Sequence, residues 1–392
     1  MTLSLELYRS VPRYLAARAL GSRIPGALSG PVAPLRLVHR TTPRLPAPGW
    51  VRIRPRIAGI CGSDLATISG RSSFYFTAIT SMPFVPGHEV VGELLEDCDD
   101  LRAGQRVVLN PLLSCEVRGI EPMCIECKNG EPGLCERVGV GHVSAGLQTG
   151  YCAGTGGGWS EELIAHRAQL TPVPETISDL DAVMVEPLAC AIHAVQRAAV
   201  APDATVLVVG AGTVGLLTVL ALRSFSEAGA IVVVAKHGTQ AALARSFGAN
   251  DVVRPRDALG LIRRQTSAFL MKPERSSPYL LGGVDVSFDA AGTSSTLDLA
   301  LKATRARGTV VLAGMPASAD LTPAWYRELS VTGAYSGSSS FNDALALSGD
   351  ARLGRLVGGL YSLSRWREAI DHALGAGKLG ATKIAFKLQE DS

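Results

Sequence analysis

The alternation of apolar and polar residues divides the chain into two regions. Up to about residue 185, the apolar runs are short and separated by glycine and proline, which is typical of strands joined by irregular loops. The clearest strands are predicted at 35–38, 51–60, 89–94 and 106–109. The pattern therefore predicts a first domain, residues 1–187, that is irregular and rich in β structure.

From about residue 186 onward, strand-length apolar runs alternate with helical segments. This alternation predicts an α/β domain over 188–335, a doubly wound parallel sheet of the Rossmann type. Its first helix is predicted at 189–200, and its strands at 205–209, 231–234, 251–253, 284–288, 309–313 and 329–334. Residues 336–392 are expected to return to the first domain, with a helix at 366–376 and a strand at 383–388. The segment 254–283 contains two prolines and receives no assignment.

Composition narrows the class of protein without identifying it. With 392 residues, 47% hydrophobic and 19% charged, the chain is expected to fold into two domains. A net charge of +3 gives no reason to expect nucleic acid. Residues 204–222 are uncharged, but their glycines favour a buried strand–turn–helix over a membrane span. We therefore expect neither nucleic acid nor membrane as a partner.

The first 56 residues hold ten arginines and a single acid, Glu6. Such a composition also occurs in organelle transit peptides. The alternation at 35–38 and 51–54 instead favours strands that belong to the fold. The prediction is a cytoplasmic protein, with the transit peptide as the alternative.

A glycine fingerprint at 210–215 follows a buried strand and opens an apolar helix. Its glycines are Gly210, Gly212 and Gly215, with Thr213 and Val214 between the last two. Glycines at these positions allow a tight turn and bring backbone N–H groups close to the pyrophosphate of a dinucleotide. The fingerprint predicts a dinucleotide site; the alternative is a strand–helix turn without a ligand.

The residues after the second strand bear on which dinucleotide binds. An acid at this point would hydrogen-bond the ribose 2′-hydroxyl of NAD, but Ala235 is followed by Lys236 and His237. A small residue followed by a cation fits a 2′-phosphate, which favours NADP over NAD. The alternative is that Lys236 is a solvated loop residue.

Three residues ahead of the fingerprint offer metal-ligand chemistry. Cys61, His88 and Glu186 provide the sulfur, nitrogen and oxygen donors that a tetrahedral zinc with one open position uses. As isolated residues they could equally be a core cysteine, a satisfied histidine and a surface glutamate. Four of the eight cysteines also crowd into 115–135, which favours a second metal site over disulfides in a chain with no export signal.

The residues that flank these donors carry a family resemblance. Four motifs occur in an order and spacing that is typical of one enzyme family: Cys-Gly-Ser-Asp at 61–64, Gly-His-Glu at 87–89, Glu-Pro-Leu at 186–188 and the fingerprint. In this the chain resembles the zinc-dependent alcohol dehydrogenase branch of the medium-chain dehydrogenase/reductase superfamily. The Glu-Pro-Leu segment resembles the polyol and threonine dehydrogenases. The resemblance implies a GroES-like catalytic domain, catalytic zinc and NADP or NAD.

The resemblance also implies roles for individual residues. Cys61, His88 and Glu186 would surround the catalytic zinc, with Glu89 as a second carboxylate that enters or leaves the coordination shell. Ser63 would take the proton of the substrate, and Asp64 would orient His88. Where the family often has a proton-carrying histidine, this chain has Ala66, so the relay would be absent or rerouted through Thr67 or water.

A segment at about 115–136 resembles the structural zinc lobe of the family, which normally uses four cysteines. Cys124, Cys127 and Cys135 match, and Glu121 stands at the first position. Carboxylates do bind zinc, so a site of Glu121 and three cysteines is predicted. Two alternatives stay open: Cys115 replaces Glu121, or the lobe has no metal.

Together these features predict a dehydrogenase that acts on a secondary alcohol, polyol or sugar, or reduces the matching carbonyl. One alternative is a zinc-free quinone or enoyl reductase of the same superfamily, and another is an NADPH-binding protein without turnover. Family habit implies a homodimer or homotetramer. The identity of the substrate does not follow from the sequence.

Overall fold

The structure, a computed structural model, describes residues 1–389 apart from 22, 23, 25, 31 and 316. The chain divides into two compact units, each with its own hydrophobic core. The first unit comprises Met1–Glu186 together with Phe341–Ser392, and the second comprises Pro187–Ser340. Within the described residues, no helix has the length and apolar character needed to cross a membrane.

The first unit is built mainly of strands. Its strands are β1 (Thr2–Leu7), β2 (Leu35–Arg40), β3 (Trp50–Gly59), β4 (Val90–Leu94), β5 (Arg106–Leu109), β6 (Leu163–His166), β7 (Leu170–Pro172), β16 (Val357–Tyr361) and β17 (Lys383–Lys387). Its helices are α1 (Val11–Leu20), α2 (Gly62–Ile68), α3 (Ile125–Lys128), α4 (Asp179–Ala182), α11 (Phe341–Asp350) and α12 (Trp366–Gly375).

The main sheet of this unit has the order β16-β17-β3-β4-β5-β7, and β6 also pairs with β3. Its neighbours are antiparallel except for the parallel pair β16–β17. The long central strand β3 alternates polar and buried residues, as expected of a sheet with one face on the core. The arginine-rich start is part of the fold: β1 pairs with β2, and Leu5 and Leu7 belong to the core.

The second unit is a sheet covered by helices. Its strands are β8 (Val206–Val209), β9 (Ile231–Val234), β10 (Asp251–Val253), β11 (Phe269–Met271), β12 (Tyr279–Leu281), β13 (Val284–Asp289), β14 (Thr304–Leu312) and β15 (Ser330–Gly333). Its helices are α6 (Thr213–Phe225), α7 (Gly238–Ser246), α8 (Ala258–Thr266), α9 (Ser294–Ala303) and α10 (Thr322–Tyr326), and α5 (Val185–Ala198) begins at the boundary.

Six parallel strands form the main sheet of this unit in the order β10-β9-β8-β13-β14-β15. The order reverses between β8 and β13, and ligands of open α/β sheets bind at the carboxyl ends of the strands at such a reversal. The predicted doubly wound sheet is confirmed. The unassigned segment 254–283 contains α8 and a separate antiparallel pair, β11 and β12.

Candidate active site and metal centres

The first cluster of ligand atoms lies where β3 and β4 meet. Cys61, His88 and Glu89 place one sulfur, one nitrogen and one carboxylate oxygen within 4.8 Å of one another. Cys61 lies two residues after β3, and His88 and Glu89 directly precede β4. Because β3 and β4 are antiparallel partners, with Ala58 opposite Val90, the end of one strand lies beside the start of the other.

Two glycines make this close approach possible. Gly87 has a φ of +95°, and a Cβ there would lie 2.5 Å from the ring of Trp159. At Gly59, a Cβ would lie 1.9 Å from Oε2 of Glu89. Trp159 donates a 3.1 Å hydrogen bond from Nε1 to the carbonyl of Gly59, which fixes the indole between the two segments.

The environment of His88 favours a cation. His88 is 3% exposed, and its Nδ1 has no hydrogen-bond partner among the described residues, although Oδ1 of Asp64 lies 3.6 Å away. Burial lowers the pKa of His88, but the charges of Asp64 and Cys61 outweigh that effect and hold it well above its usual value. Positive charge is therefore stabilised here, which fits a metal ion bound by Cys61, His88 and a carboxylate.

Lys383 is a member of this site that sequence reasoning did not select. Its Nζ lies 2.6 Å from both carboxylate oxygens of Glu89, and both side chains are almost fully buried. Burial lowers the pKa of Lys383, but Glu89, Cys61 and Glu186 together raise it above its usual value. The only signal in the sequence is a lysine that opens the end strand and is followed by three apolar residues.

Glu186 stands apart from the three clustered ligands. It lies in the first turn of α5, is 9% exposed, and is not in the group whose ligand atoms lie within 4.8 Å. Its charge reaches the site nonetheless, since it contributes to the raised pKa of Lys383. The structure thus brings together Cys61, His88 and Glu89, with Glu186 close enough to act on the pKa of Lys383.

Hydroxyl groups line the helix that follows Cys61. Oγ1 of Thr67 lies 2.8 Å from Oγ of Ser72 and 3.4 Å from the hydroxyl of Tyr151. The Tyr151 hydroxyl is also 3.4 Å from Oδ1 of Asp64, and a hydrogen bond with Ser63 acts on its pKa. Burial and the charge of Asp64 raise the pKa of Tyr151 despite the Ser63 and Thr67 hydroxyls, so the phenol stays protonated. Sequence reasoning missed Tyr151, which is 90 residues from Cys61.

A second cluster of ligand atoms consists of four cysteines. Cys115, Cys124, Cys127 and Cys135 place their sulfurs within 4.8 Å of one another. The predicted Glu121 is not in this group, because its side chain is exposed while Cys115 is buried with the other cysteines. The cluster therefore holds Cys115 in place of the predicted Glu121, as in one of the alternatives above.

The geometry of the four sulfurs fits zinc. Tetrahedral zinc–thiolate sites have Zn–S distances of about 2.3 Å, so neighbouring sulfurs lie about 3.8 Å apart. The sulfurs of Cys115 and Cys135 are 3.7 Å apart. Burial opposes ionisation of Cys124, but hydrogen bonds from the backbone N–H groups of Cys127 and Glu136 and from the thiols of Cys127 and Cys115 together lower its pKa to about 6.

Arg118 organises the segment around this cluster. It is fully buried and donates hydrogen bonds of 2.6 to 3.2 Å to five backbone carbonyls. Those carbonyls belong to Leu113, Val140, Val143, Ser144 and Gly146. One guanidinium thus joins both ends of the cysteine segment.

The glycine fingerprint lies between β8 and α6. Gly210 has a φ of +106°, and a Cβ at Gly215 would lie 1.9 Å from the carbonyl oxygen of Gly210. Gly212 is the N-cap of α6, and a Cβ there would meet no atom within 4 Å. Thr213 and Val214 form the first turn of α6. An open position beside a helix N-terminus fits the pyrophosphate of a dinucleotide.

The residues that follow β9 bear on the choice between NAD and NADP. Ala235 is buried, Lys236 is exposed, and His237 is the N-cap of α7. No carboxylate occurs between residues 235 and 240. The arrangement places the exposed Lys236 where NAD-binding proteins have an acid.

Comparisons with known proteins agree with this geometry. Residues 47–175 match the family model described as alcohol dehydrogenase GroES-like domain, and residues 213–349 match the model for zinc-binding dehydrogenase. The chain is 33% identical to L-idonate 5-dehydrogenase from Vitis vinifera, over 73% of each protein. It is also 33% identical to sorbitol dehydrogenase from Arabidopsis thaliana, over 74% of each.

A solved structure shows the same architecture. The crystal structure of 2R,3R-butanediol dehydrogenase from Bacillus subtilis is 25% identical to the chain and superposes with a TM-score of 0.69. The match covers 91% of this chain and 96% of that one. The chain therefore belongs to the medium-chain dehydrogenase/reductase superfamily, in its zinc-dependent alcohol dehydrogenase branch.

Proposed function

We propose that this dehydrogenase oxidises a secondary hydroxyl of a polyol or sugar with NADP, and reduces the matching ketone in reverse. The observation that carries the proposal is the cluster of Cys61 with the buried His88 and Glu89, in a chain that also holds the dinucleotide fingerprint. In such enzymes zinc polarises the oxygen of the alcohol, and the nicotinamide accepts the hydride.

Each residue of the cluster has a distinct task. Cys61 and His88 would hold the zinc together with a carboxylate from Glu89 or Glu186, directly or through water. Lys383 holds Glu89 at 2.6 Å and offsets its charge, so Glu89 would be a paired anion even where Glu186 supplied the carboxylate to the metal. Asp64, 3.6 Å from Nδ1 of His88, orients the imidazole.

The proton of the substrate needs a route to solvent, and Ala66 offers none. We propose that Ser63 accepts it and passes its own proton to a chain of hydroxyls. The hydroxyl of Tyr151 lies 3.4 Å from that of Thr67, which lies 2.8 Å from that of the half-buried Ser72. Hydroxyl groups both donate and accept, so each can pass a proton on without a net change of charge.

Thr67→Val tests this route. Valine keeps the shape of threonine but removes the hydroxyl, so kcat for alcohol oxidation should fall at least about tenfold, with an increased solvent deuterium isotope effect. The matched control is Ser69→Ala, because the Ser69 hydroxyl donates a hydrogen bond to the carbonyl of Ala66 and is not one of the proposed relay hydroxyls. An unchanged kcat and isotope effect in Thr67→Val would rule the route out.

The substrate class is supported by the named relatives, which include a sorbitol dehydrogenase and an L-idonate 5-dehydrogenase. The direct experiment is to follow NADPH formation with sorbitol, L-idonate and 2R,3R-butanediol. Turnover of a polyol or sugar acid that disappears in His88→Ala supports the proposal. Turnover of butanediol alone would exclude the polyol class while leaving the zinc chemistry in place.

Lys236→Ala tests the choice of NADP. Without the cation, KM for NADP should rise about tenfold or more, because a charge-assisted bond to the 2′-phosphate is lost, while KM for NAD should hardly change. Lys272→Ala is the control, since Lys272 is another exposed lysine of the second unit. Equal effects on both cofactors, or none, would contradict the assignment.

We further propose that the four cysteines hold a structural zinc, which takes no part in the reaction.

The homodimer or homotetramer also stays a prediction. It is supported by β15, an edge strand of the six-stranded sheet with mostly exposed residues, and by Trp325, which is 81% exposed on the preceding helix. The cytoplasmic location stays a prediction as well.

A further inference from the structure

A cleft in the first unit has no part in the chemistry described above. It has a volume of about 420 Å³ and lies between the N-terminal segment and the start of α12. Its polar and aromatic lining comes from Tyr8, Arg13, Arg36, Ser364, Trp366 and Arg367, and we call it the arginine cleft. Tyr8, Arg13 and Arg36 precede residues 47–175, the part that matches the family model.

The three guanidinium groups of the cleft are held by aromatic rings. Arg36 lies over the ring of Tyr8 at 4.8 Å and Arg13 over the same ring at 5.9 Å. Arg367 lies over the ring of the buried Trp366 at 4.4 Å. Stacking on fixed rings limits the freedom of these side chains, so less entropy is lost when they bind a ligand.

Positive charge exceeds negative charge among the described residues that line the cleft. None of the described residues that line it is acidic. Glu6 lies beneath and is shared by Arg36 and Arg40, at 2.6 and 3.2 Å. Among the residues that the structure describes, Arg367 has no carboxylate within ion-pair distance. Like charges gathered at one surface repel one another, and an anion between them would relieve that repulsion.

The chemistry of the cleft selects a kind of anion. Guanidinium is planar and binds phosphate oxygens through paired N–H groups, which makes arginine the preferred residue for phosphate recognition. Clefts that bind small molecules measure about 300–1,000 Å³, so this one has room for an organic body as well as a phosphate group. We propose that the arginine cleft binds a small molecule that carries phosphate.

The proposal is independent of the catalytic function and is tested by binding alone. Fructose 1,6-bisphosphate is the probe, titrated by calorimetry into the zinc-loaded protein without NADP, and fructose is the phosphate-free control. We expect binding of the bisphosphate and at least about tenfold weaker binding in Arg13→Gln and in Arg367→Gln, the loss expected from one charge-assisted contact.

Arg365→Gln is the matched control. Arg365 is exposed two residues before Arg367, but it pairs with Glu368 and does not line the cleft. Its replacement should leave binding within twofold, on the order of a peripheral charge effect. Circular dichroism melting of each variant separates a folding defect from loss of the site.

Three results would overturn the proposal. The wild-type protein could fail to bind the bisphosphate, or bind fructose equally well. Binding could also persist unchanged in both Arg13→Gln and Arg367→Gln, which would place the phosphate outside the arginine cleft. None of these results depends on polyol turnover, so failure of the proposed activity and failure of this site are separable.

Discussion

Replacing Lys383 with methionine is expected to destabilise the first unit by about 3–5 kcal/mol, because removing one partner of a buried ion pair leaves the other charge uncompensated. The pair with Glu89 is almost completely excluded from water, with the two side chains 3% and 1% exposed. Urea unfolding of the wild-type protein and of Lys383→Met measures the difference in the free energy of unfolding. The variant should also lose alcohol turnover, since Glu89 loses its position.

The double variant Glu89→Gln with Lys383→Met is the control for this effect. It removes both charges, and replacing a buried pair by neutral residues is often close to neutral for stability. At least half of the lost stability should return while turnover stays low. If Lys383→Met unfolds at the same urea concentration as the wild type, the ion pair does not hold this site together.

Replacing Cys115 with serine is expected to remove the structural zinc. Zinc in such sites contributes about 10–16 kcal/mol of binding free energy, which is also folding free energy of the segment that it joins. A chain with one catalytic and one structural site holds about two zinc ions, and this number should fall to about one. The melting midpoint should fall by about 5 °C or more, since losing even a few kcal/mol of that free energy is enough for such a shift.

Glu121→Gln decides between the two candidate ligands. Glu121 is exposed and lies outside the cluster of sulfurs, so its replacement should leave zinc content and melting midpoint unchanged. Elemental analysis and calorimetry of both variants give the answer. Loss of zinc in Glu121→Gln, with full zinc in Cys115→Ser, would restore the ligand set that the family resemblance implied.

The fold was largely predictable because its signals are local. The strands of the second unit are continuous apolar runs, and the glycines at 210–215 mark where β8 turns into α6. Residues 254–283 were not assigned, because β11 and β12 are only three residues long and too short to show a period.

The site was predictable where a metal-binding residue lies within a short motif, as Cys61 and His88 do. Lys383 and Tyr151 were missed because their contacts depend on tertiary structure: Lys383 reaches Glu89 across 294 residues of sequence. Glu121 was favoured over Cys115 because it stands at the first ligand position of the zinc lobe that the segment resembles. Folding instead places Cys115, with its backbone N–H 3.5 Å from the sulfur of Cys127, inside the cluster.

The most direct test of the central claim is NADPH formation from a polyol by the protein before and after removal of zinc. Removal with a chelator should lower turnover to about one per cent or less, because without the metal the alcohol oxygen is not polarised, and added zinc should restore it. His88→Ala should stay inactive when zinc is added back. Undiminished turnover in protein shown by elemental analysis to be free of zinc would contradict the account.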